Sequence, residues 1–399
     1  AEAELARINR ALEDQIRWTP RDWFWVHNRW KTPHPNFLTV NQKRGTHLPP
    51  DRPAASLAPF RIVARSPNWL GDAVMAISAV RAFKLGRPDA RLAVASPARL
   101  ADLWRHVAEV DEVIEIPAKA SPLRVGRLMR GRFDVAVLFP NSVRSGLEAW
   151  CAGIPRRVGL AGKPREFFLN QIVREKPKAK VPRPRHHADR YAHIATKCGG
   201  TIPPPPPPLW NATPGKPVIG LVPGAEYGPA KRWPAEKFRA MMDIISAGMP
   251  CEWRIFGTAA DTPIAVEILR DFQGLAIDLT GKTSLGELVD ALCDVHVLVT
   301  NDTGTMHLAD FLGVPLVAIF GSTEPILTGP RRATSTVLRH HVPCSPCFLR
   351  ECPIDFRCMN GLSPETVSQA VMAALNSARL AGEARQFDFQ VKDPGSNLA

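Results

Sequence analysis

Short apolar runs rich in β-branched residues alternate with segments of helical periodicity, and this alternation occurs twice along the chain. The first series begins at RIVARS, residues 61–66, and the second at KPVIGLVPG, residues 216–224. Strand, helix and strand in succession predict a parallel sheet covered by helices. Six consecutive prolines at 203–208 separate the two series and predict an extended spacer, because proline suits neither a helix interior nor a central strand. We therefore expect an α/β protein with two Rossmann-like parallel-sheet domains facing across a cleft, plus a helical N-terminal appendage.

The pattern divides the 399 residues into five parts. They are an appendage and linker (1–59), a first domain (60–202), a proline-rich linker (203–214), a second domain with a cysteine-rich loop and a closing helix (215–380), and a tail (381–399). No apolar run approaches the ~20 residues that cross a bilayer, and the charged start AEAELARINR does not resemble a signal peptide. We therefore expect a cytoplasmic protein that is not integral to a membrane.

Basic residues outnumber acidic ones, 51 to 38, which gives a formal net charge of +13. An excess of this size favours an anionic partner: nucleic acid, phospholipid headgroups or a phosphorylated substrate. Residues 156–190 hold eleven of the basic side chains and only three acidic ones. This basic stretch is either a solvated, solubilising face or a docking surface for an anionic partner.

The segment VLVTNDTGTMHLADFLGVP, residues 297–315, contains the strongest candidate site. A strand ending at Thr300 leads into a polar turn and then into a helix that carries His307 in its first turn. Free backbone N–H groups and the helix dipole favour an anion there, and Gly304 permits close approach to a diphosphate. Alternatively, Asp302 or Thr303 only caps the helix. His307 is either structural or a donor to a phosphate or a sugar hydroxyl.

Two further strand-to-helix loops carry candidate ligands. In PGAEYGPAKRWP, residues 223–234, Glu226 lies between two glycines, Lys231 can neutralise a phosphate leaving group, and Arg232 can bind a phosphate or a carboxylate. In SPNWLGDAVMAISAVRAFK, residues 66–84, Gly71 and Asp72 open a helix. Asp72 is either a general base or only a first-turn acid that complements the helix dipole.

Four cysteines within fifteen residues follow the spacing C-x2-C-x4-C-x5-C: Cys344, Cys347, Cys352 and Cys358. Thiolates at this spacing are compatible with a tetrahedral zinc site, although the two separated C-x-x-C knuckles of common zinc ribbons are missing. A disulfide and reduced structural thiols are the other interpretations. The chain contains no D-x-D triplet, by which many glycosyltransferases hold a divalent cation.

With these motifs in order, residues from about 60 to 375 resemble the lipopolysaccharide heptosyltransferases, family-9 glycosyltransferases of GT-B fold, and in particular their heptosyltransferase II members. The segments that carry the resemblance are NWLGDAVMAISAVRA, PGAEYGPAKRWP, TNDTGTMHLADFLGVPLVAIFGST and CSPCFLRECPIDFRCM. The resemblance implies an enzyme, with the acceptor on the first domain and the nucleotide sugar on the second.

The resemblance also implies roles for individual residues. Asp72 is the expected catalytic base and Lys231 a phosphate contact. Asp302, Thr303, Gly304 and His307 are expected in the sugar-nucleotide site. Gly71, Glu226 and Arg232, the candidates from the two loops above, complete the expected set of substrate- and donor-binding residues. The implied reaction is an inverting, metal-independent transfer of L-glycero-D-manno-heptose from ADP-heptose to the first heptose of heptosyl-Kdo-lipid A, without a cofactor. The implied partners are this donor, this acceptor and an anionic membrane surface rather than nucleic acid, with a peripheral location at the inner membrane.

Two other functions remain open: another family-9 or nucleotide-sugar enzyme of GT-B fold, and a catalytically silent nucleotide-sugar binding module. Residues 1–33 are similar to the C-terminal end of the lipid A lauroyl-type acyltransferases. That similarity predicts the downstream portion of a fused acyltransferase–heptosyltransferase. The alternative is an aromatic and basic helical segment for a membrane surface.

Overall fold

A computed structural model describes residues 2–18, 59–175, 185–212 and 215–391. The chain divides into two compact units. The first unit comprises Ala1–Pro67, Ala76–Lys178 and Tyr191–Pro203. The second comprises Asn68–Met75, Ala179–Arg190 and Pro204–Ala399, so the beginnings of two helices group with it rather than with the residues that follow them.

The first unit is built on a six-stranded parallel sheet in the order β3-β2-β1-β4-β5-β6. The strands are β1 (Arg61–Arg65), β2 (Arg91–Pro97), β3 (Glu112–Ile116), β4 (Val135–Leu138), β5 (Arg156–Leu160) and β6 (Gln171–Val173). The helices up to the proline run are α1 (Glu2–Trp18), α2 (Leu70–Gly86), α3 (Ala101–Arg105), α4 (Pro122–Met129), α5 (Val143–Cys151) and α6 (His187–Lys197). Among these, α2 and α6 each begin in residues that belong to the second unit.

The second unit contains another six-stranded parallel sheet, in the order β12-β11-β10-β7-β8-β9. Its strands are β7 (Val218–Val222), β8 (Glu252–Ile255), β9 (Leu275–Asp278), β10 (Val297–Asn301), β11 (Leu316–Phe320) and β12 (Ser335–Arg339). Its helices are α7 (Ala235–Gly248), α8 (Thr262–Leu269), α9 (Leu285–Cys293), α10 (Gly304–Leu312), α11 (Pro325–Thr328), α12 (Arg357–Asn360) and α13 (Pro364–Val391). Counted from its own first strand, this sheet repeats the order of the first.

The central strands are mostly apolar because helices cover both faces of a parallel sheet. In β4, β10 and β11 every residue is buried. Each unit has its own core, which includes Val63 and Leu138 in the first and Leu221 and Trp253 in the second. The α/β class and the two Rossmann-like parallel sheets are thus as the sequence predicts.

The basic stretch at 156–190 departs from the sequence-based expectation. The basic stretch is no uniform surface, because residues 156–160 form β5 and Arg165 is buried. Its guanidinium donates to the carbonyl oxygens of Leu138 and Leu160, and burial lowers its pKa to about 10. Residues 176–184 of the stretch lie outside the described residues.

Helix α13 continues to Val391, beyond the expected end near Leu380, since the next proline is Pro394. The prolines at 203–208 form neither helix nor strand, as predicted. Of residues 1–33, the structure describes only the helix α1; the rest of that similarity lies outside the described residues. No helix in the described part of the chain has the length and apolarity that crossing a membrane requires.

Candidate active site

The candidate site lies within the second unit, where β7 and β10 run side by side and end together. Val222 and Thr300 are partners at the end of their ladder, so the loops that follow them emerge at one edge. Strand order reverses between these two strands, with β8 and β9 on one side and β11 and β12 on the other. Ligands of open α/β sheets bind at such a switch point, beyond the carboxyl ends of the strands.

Asn301 joins the two loops. Its side chain is fully buried, accepts a hydrogen bond from the backbone N–H of Trp233 at 3.1 Å and donates one to the carbonyl of Pro223 at 2.8 Å. A buried amide with both ends satisfied holds its neighbours in one arrangement. The loop that carries Lys231 is therefore fixed relative to the turn that carries Asp302.

Two helix N-termini converge in this unit. A Cβ placed on Gly304 would lie 2.9 Å from Leu70 Cβ, and one placed on Gly71 would lie 2.6 Å from His307 Cδ2. These distances leave no room for a side chain, so the glycines permit the first turns of α2 and α10 to touch. Thr303 caps α10 by accepting the N–H of Met306 at 3.3 Å. Both dipoles favour negative charge at this point.

Lys231 and Asp302 form a nearly buried ion pair. The lysine Nζ lies 2.6 Å from Asp302 Oδ2, and the side chains are 13% and 4% exposed. Thr323 donates a second hydrogen bond to the same carboxylate oxygen at 2.7 Å. Since an ammonium group has three N–H donors, Lys231 can hold Asp302 and still donate to a ligand oxygen.

His307 lies buried in the first turn of α10, 8% exposed and against Gly71. Burial lowers the pKa of its imidazole, since the charged form loses hydration; the nearby Asp302 and Asp72 carboxylates oppose that shift. At neutral pH the ring is therefore neutral, and one of its nitrogens can donate a hydrogen bond.

Asp72 lies in the first turn of α2 with its side chain 29% exposed. His187, the first residue of α6, approaches it: Nδ1 lies 3.9 Å from Asp72 Oδ1. Both residues belong to the second unit. The structure thus places a partly exposed carboxylate in the same unit as the ion pair and the two helix N-termini.

The cysteine-rich loop packs against the loop at 223–234 and contributes Arg350 to the edge of this region. Arg350 Cζ lies 5.1 Å, and Lys231 Nζ 4.9 Å, from the centre of the Tyr227 ring. The tyrosine hydroxyl donates to the carbonyl of Phe348 at 2.7 Å, and the Arg350 carbonyl accepts the N–H of Ala230 at 3.0 Å. These contacts hold the loop at 223–234 against the loop at 344–358.

Two other predicted ligands, Glu226 and Arg232, lie in the loop at 223–234. Glu226 is exposed in its loop. Arg232 donates to the carbonyl of Ala225 at 3.3 Å, while its buried Nε has no partner. After β8, Asp261 closes a capping box with Thr258 and packs so close to Gly224 that a Cβ there would overlap its carboxylate.

The four cysteines of the loop are free thiols, so the disulfide interpretation is not realised. The zinc interpretation does not fit either: no group of three or more His, Cys, Asp or Glu side chains within 215–391, or elsewhere in the described chain, is arranged to hold a metal ion. Burial raises the pKa of the Cys358 thiol, which favours its protonated form.

Four residues of this region are not among those that the sequence motifs predict: His187, Thr323, Tyr227 and Arg350. Tyr227 lies inside a motif that was already singled out, and Thr323 follows the next strand of the same sheet. His187 lies in the basic stretch, whose most evident feature in the sequence is its charge. Two adjacent histidines at a helix start were the available signal.

Two Rossmann-like units with a phosphate-favouring site at the switch point of the second are the architecture of the GT-B glycosyltransferases. Residues 123–356 match the family model "Glycosyltransferase family 9 (heptosyltransferase)". The chain belongs to this family and is a transferase.

Relatives of known name lie within the same family. The chain is 32% identical over 308 residues to lipopolysaccharide heptosyltransferase 2 of Escherichia coli, with 70% of this chain and 88% of the relative covered. It is 31% identical over 309 residues to lipooligosaccharide heptosyltransferase 2 of Haemophilus influenzae, with the same coverage. A solved structure of Escherichia coli ADP-heptose lipopolysaccharide heptosyltransferase II matches with a TM-score of 0.67 and 28% identity, covering 80% of this chain and all of the other.

Proposed function

We propose that this enzyme transfers L-glycero-D-manno-heptose from ADP-heptose to the first heptose of the lipopolysaccharide inner core. The observation that carries the proposal is the junction of two helix N-termini at Gly71 and Gly304, in the unit that also holds Asp72 and Lys231. This junction supplies positive potential for a leaving diphosphate near a carboxylate that can act as a base. The names of the relatives provide the sugar and the pathway.

The reaction is a single displacement with Asp72 as general base. The carboxylate takes the proton of the acceptor hydroxyl while the hydroxyl oxygen bonds to the anomeric carbon of the heptose. The bond from that carbon to the diphosphate oxygen breaks, and ADP leaves with the electron pair. Attack opposite the leaving group inverts the anomeric configuration.

The charge that develops on the leaving diphosphate is stabilised by groups that are already oriented before the reaction. They are the backbone N–H groups at the start of α10, the ammonium of Lys231 and the neutral imidazole of His307. Asp302 orients Lys231 through the 2.6 Å contact between Nζ and Oδ2. We propose that these groups suffice without a divalent cation, so full activity should survive excess EDTA.

The remaining parts of the proposal concern the surroundings of the reaction. The acceptor is heptosyl-Kdo-lipid A, and the enzyme works at the cytoplasmic face of the inner membrane as a peripheral protein. The similarity of residues 1–33 to lipid A acyltransferases fits a chain fused to an enzyme of the same pathway. The anionic surface of that membrane matches the net charge of +13.

The purified protein, ADP-heptose and heptosyl-Kdo-lipid A test the function. We expect ADP release that requires both substrates, and a product larger by one heptose in mass spectrometry. Asp72→Asn should lower turnover by about 10²–10⁴-fold, the usual contribution of a general base, with ADP affinity within about threefold of wild type.

The two alternatives give other results in the same assay. A binding module would bind ADP but release none from ADP-heptose with any acceptor. Another GT-B enzyme would act on a different sugar nucleotide, or on a different acceptor. An Asp72→Asn variant as active as wild type would contradict the role of the base while leaving the reaction in place.

A further inference from the structure

His187 approaches Asp72, and the proposed mechanism gives it no role. Its Nδ1 lies 3.9 Å from Asp72 Oδ1, and its side chain is 36% exposed beside the 29% exposed carboxylate. Electrostatic effects of Asp302 and Lys231 also reach His187. The imidazole therefore lies near the proposed base and within electrostatic range of the ion pair.

The first turn of α6 is anchored, so the position of His187 is not that of a loose surface side chain. A ring nitrogen of the preceding His186, Nε2, lies 2.9 Å from the carbonyl oxygen of Gly329. Asp189, two residues after His187, has its Oδ1 2.7 Å from Arg331 Nη1. The N–H of Arg331 in turn donates at 2.9 Å to Asp310, a residue of α10. The start of α6 is thus connected to the helix whose N-terminus forms the diphosphate site.

We propose that His187 is a positioning residue that orients the Asp72 carboxylate for proton abstraction. This inference rests on the proposed function. With the acceptor bound, Nδ1–H donates a hydrogen bond to Oδ1, and the other carboxylate oxygen faces the acceptor hydroxyl. The distance of 3.9 Å exceeds a hydrogen bond, and catalytic hydrogen bonds commonly shorten only when substrates bind.

The charge state of His187 suits this role. Burial lowers its pKa, and the positive charges of Arg190 and Lys231 act in the same direction, while Asp72 and Asp302 oppose it. The ring is neutral at neutral pH and donates one hydrogen bond. A charged imidazolium at this position would form a stronger ion pair with Asp72. That pairing would make the Asp72 carboxylate a weaker base.

Three substitutions of His187 distinguish a residue that orients the Asp72 carboxylate from one that only fills space. His187→Ala removes the donor, His187→Asn retains an N–H near the position of Nδ1, and His187→Gln places its N–H near Nε2. We expect kcat to fall about 10- to 100-fold in the Ala and Gln variants, with the KM for ADP-heptose and the Kd for ADP within about threefold of wild type. The Asn variant should recover to within about threefold of the wild-type kcat.

His193→Ala is the matched control, because His193 lies on the same helix, is half-buried like His187, and has its Nε2 3.4 Å from the Arg174 carbonyl oxygen rather than near Asp72. It should keep the wild-type kcat. Thermal unfolding of all variants shows whether they fold.

Unchanged kcat in folded His187→Ala overturns the inference, as does an Asn variant as slow as Ala, or a loss confined to ADP affinity. Failure of the proposed function is distinguishable, because wild type itself would then release no ADP.

Discussion

At the scale of single residues, Lys231 raises a question that its sequence position cannot answer. A lysine at a strand-to-helix loop suggests a phosphate ligand, yet its Nζ already contacts the buried carboxylate of Asp302 at 2.6 Å. Either the pair serves only to stabilise the loop, or Asp302 orients a lysine that also binds phosphate. Stability and ligand affinity respond differently in these two cases.

We predict that Lys231→Met both destabilises the protein and weakens ADP binding. Removing one partner of a buried pair leaves the other charge uncompensated, which costs about 3–5 kcal/mol. Loss of a charge-assisted hydrogen bond to phosphate should weaken ADP binding roughly 10- to 100-fold. Thermal denaturation and calorimetric titration with ADP measure the two effects.

The double variant Lys231→Met/Asp302→Asn resolves the two roles. Neutralising Asp302 removes the buried charge, so most of the lost stability should return. ADP affinity should stay low, because the phosphate contact is still missing. If affinity returned together with stability, Lys231 would be a structural residue and not a phosphate ligand.

At the scale of elements, the loop at 223–234 depends on the cysteine-rich loop for its shape. Gly228 has a φ of 154° and lies so close to the backbone of Arg350 that a Cβ would be 2.4 Å from the carbonyl oxygen. That same carbonyl accepts the N–H of Ala230 at 3.0 Å. Since backbone faces backbone, a side chain at Gly228 cannot be accommodated by a rotamer change.

Gly228→Ala should therefore separate the two loops and displace Lys231. We expect a loss of about 1–3 kcal/mol in stability, typical of a strained backbone, and at least a tenfold loss of ADP affinity. Gly248→Ala is the control, because a Cβ there meets nothing within 4 Å. It should leave ADP affinity unchanged and stability unchanged or slightly higher. Wild-type affinity in a folded Gly228→Ala protein would show that the contact between these two loops does not shape the site.

The elements that the sequence predicted well are those whose burial is uniform. The central strands read as continuous apolar runs because both faces are covered. β6, β9 and β12 lie at sheet edges, where burial is less uniform, and the residues of β9 alternate between exposed and half-buried. β5 begins with Arg156 and Arg157, whose charges conceal the strand in the sequence.

The same distinction holds for the site. Lys231, Asp302 and Gly304 follow strands of one parallel sheet, so their common edge was predictable from strand order and local motif. The approach of His187 to Asp72 joins residues 115 positions apart, and that of Arg350 to Tyr227 joins residues 123 apart. Neither follows from local periodicity. They depend on how helices and loops pack in three dimensions.

At the scale of the whole molecule, two sheets of one strand order share the chain, and the site residues collect in the second unit. Three histidines of that unit, His186, His187 and His307, all have a pKa lowered chiefly by burial. Unfolding exposes them to water and restores their ordinary affinity for protons. Stability should therefore depend on pH close to neutrality.

The sign follows from proton linkage. Below the unfolded pKa near 6.5 the unfolded chain binds protons that the folded protein does not, so stability falls as the pH falls through that window. Carboxylates act lower: hydrogen bonds from Ser284 lower the pKa of Glu287, and one from Arg357 lowers that of Asp355. Their contribution is lost only as the pH drops below about 4.5.

His307→Gln tests this account, because His307 is the most deeply buried of the three. Between pH 7.5 and 5.5 the free energy of unfolding of wild type should fall, and His307 should account for at most about 1.4 kcal/mol of that fall. The half-buried His186 and His187 should contribute smaller amounts. The melting temperature of wild type should thus fall by up to about 3 °C more than that of the variant across this range. Above pH 8 the difference between the two proteins should no longer change with pH. Parallel melting curves from pH 7.5 to 5.5 would show that His307 takes up no proton on unfolding.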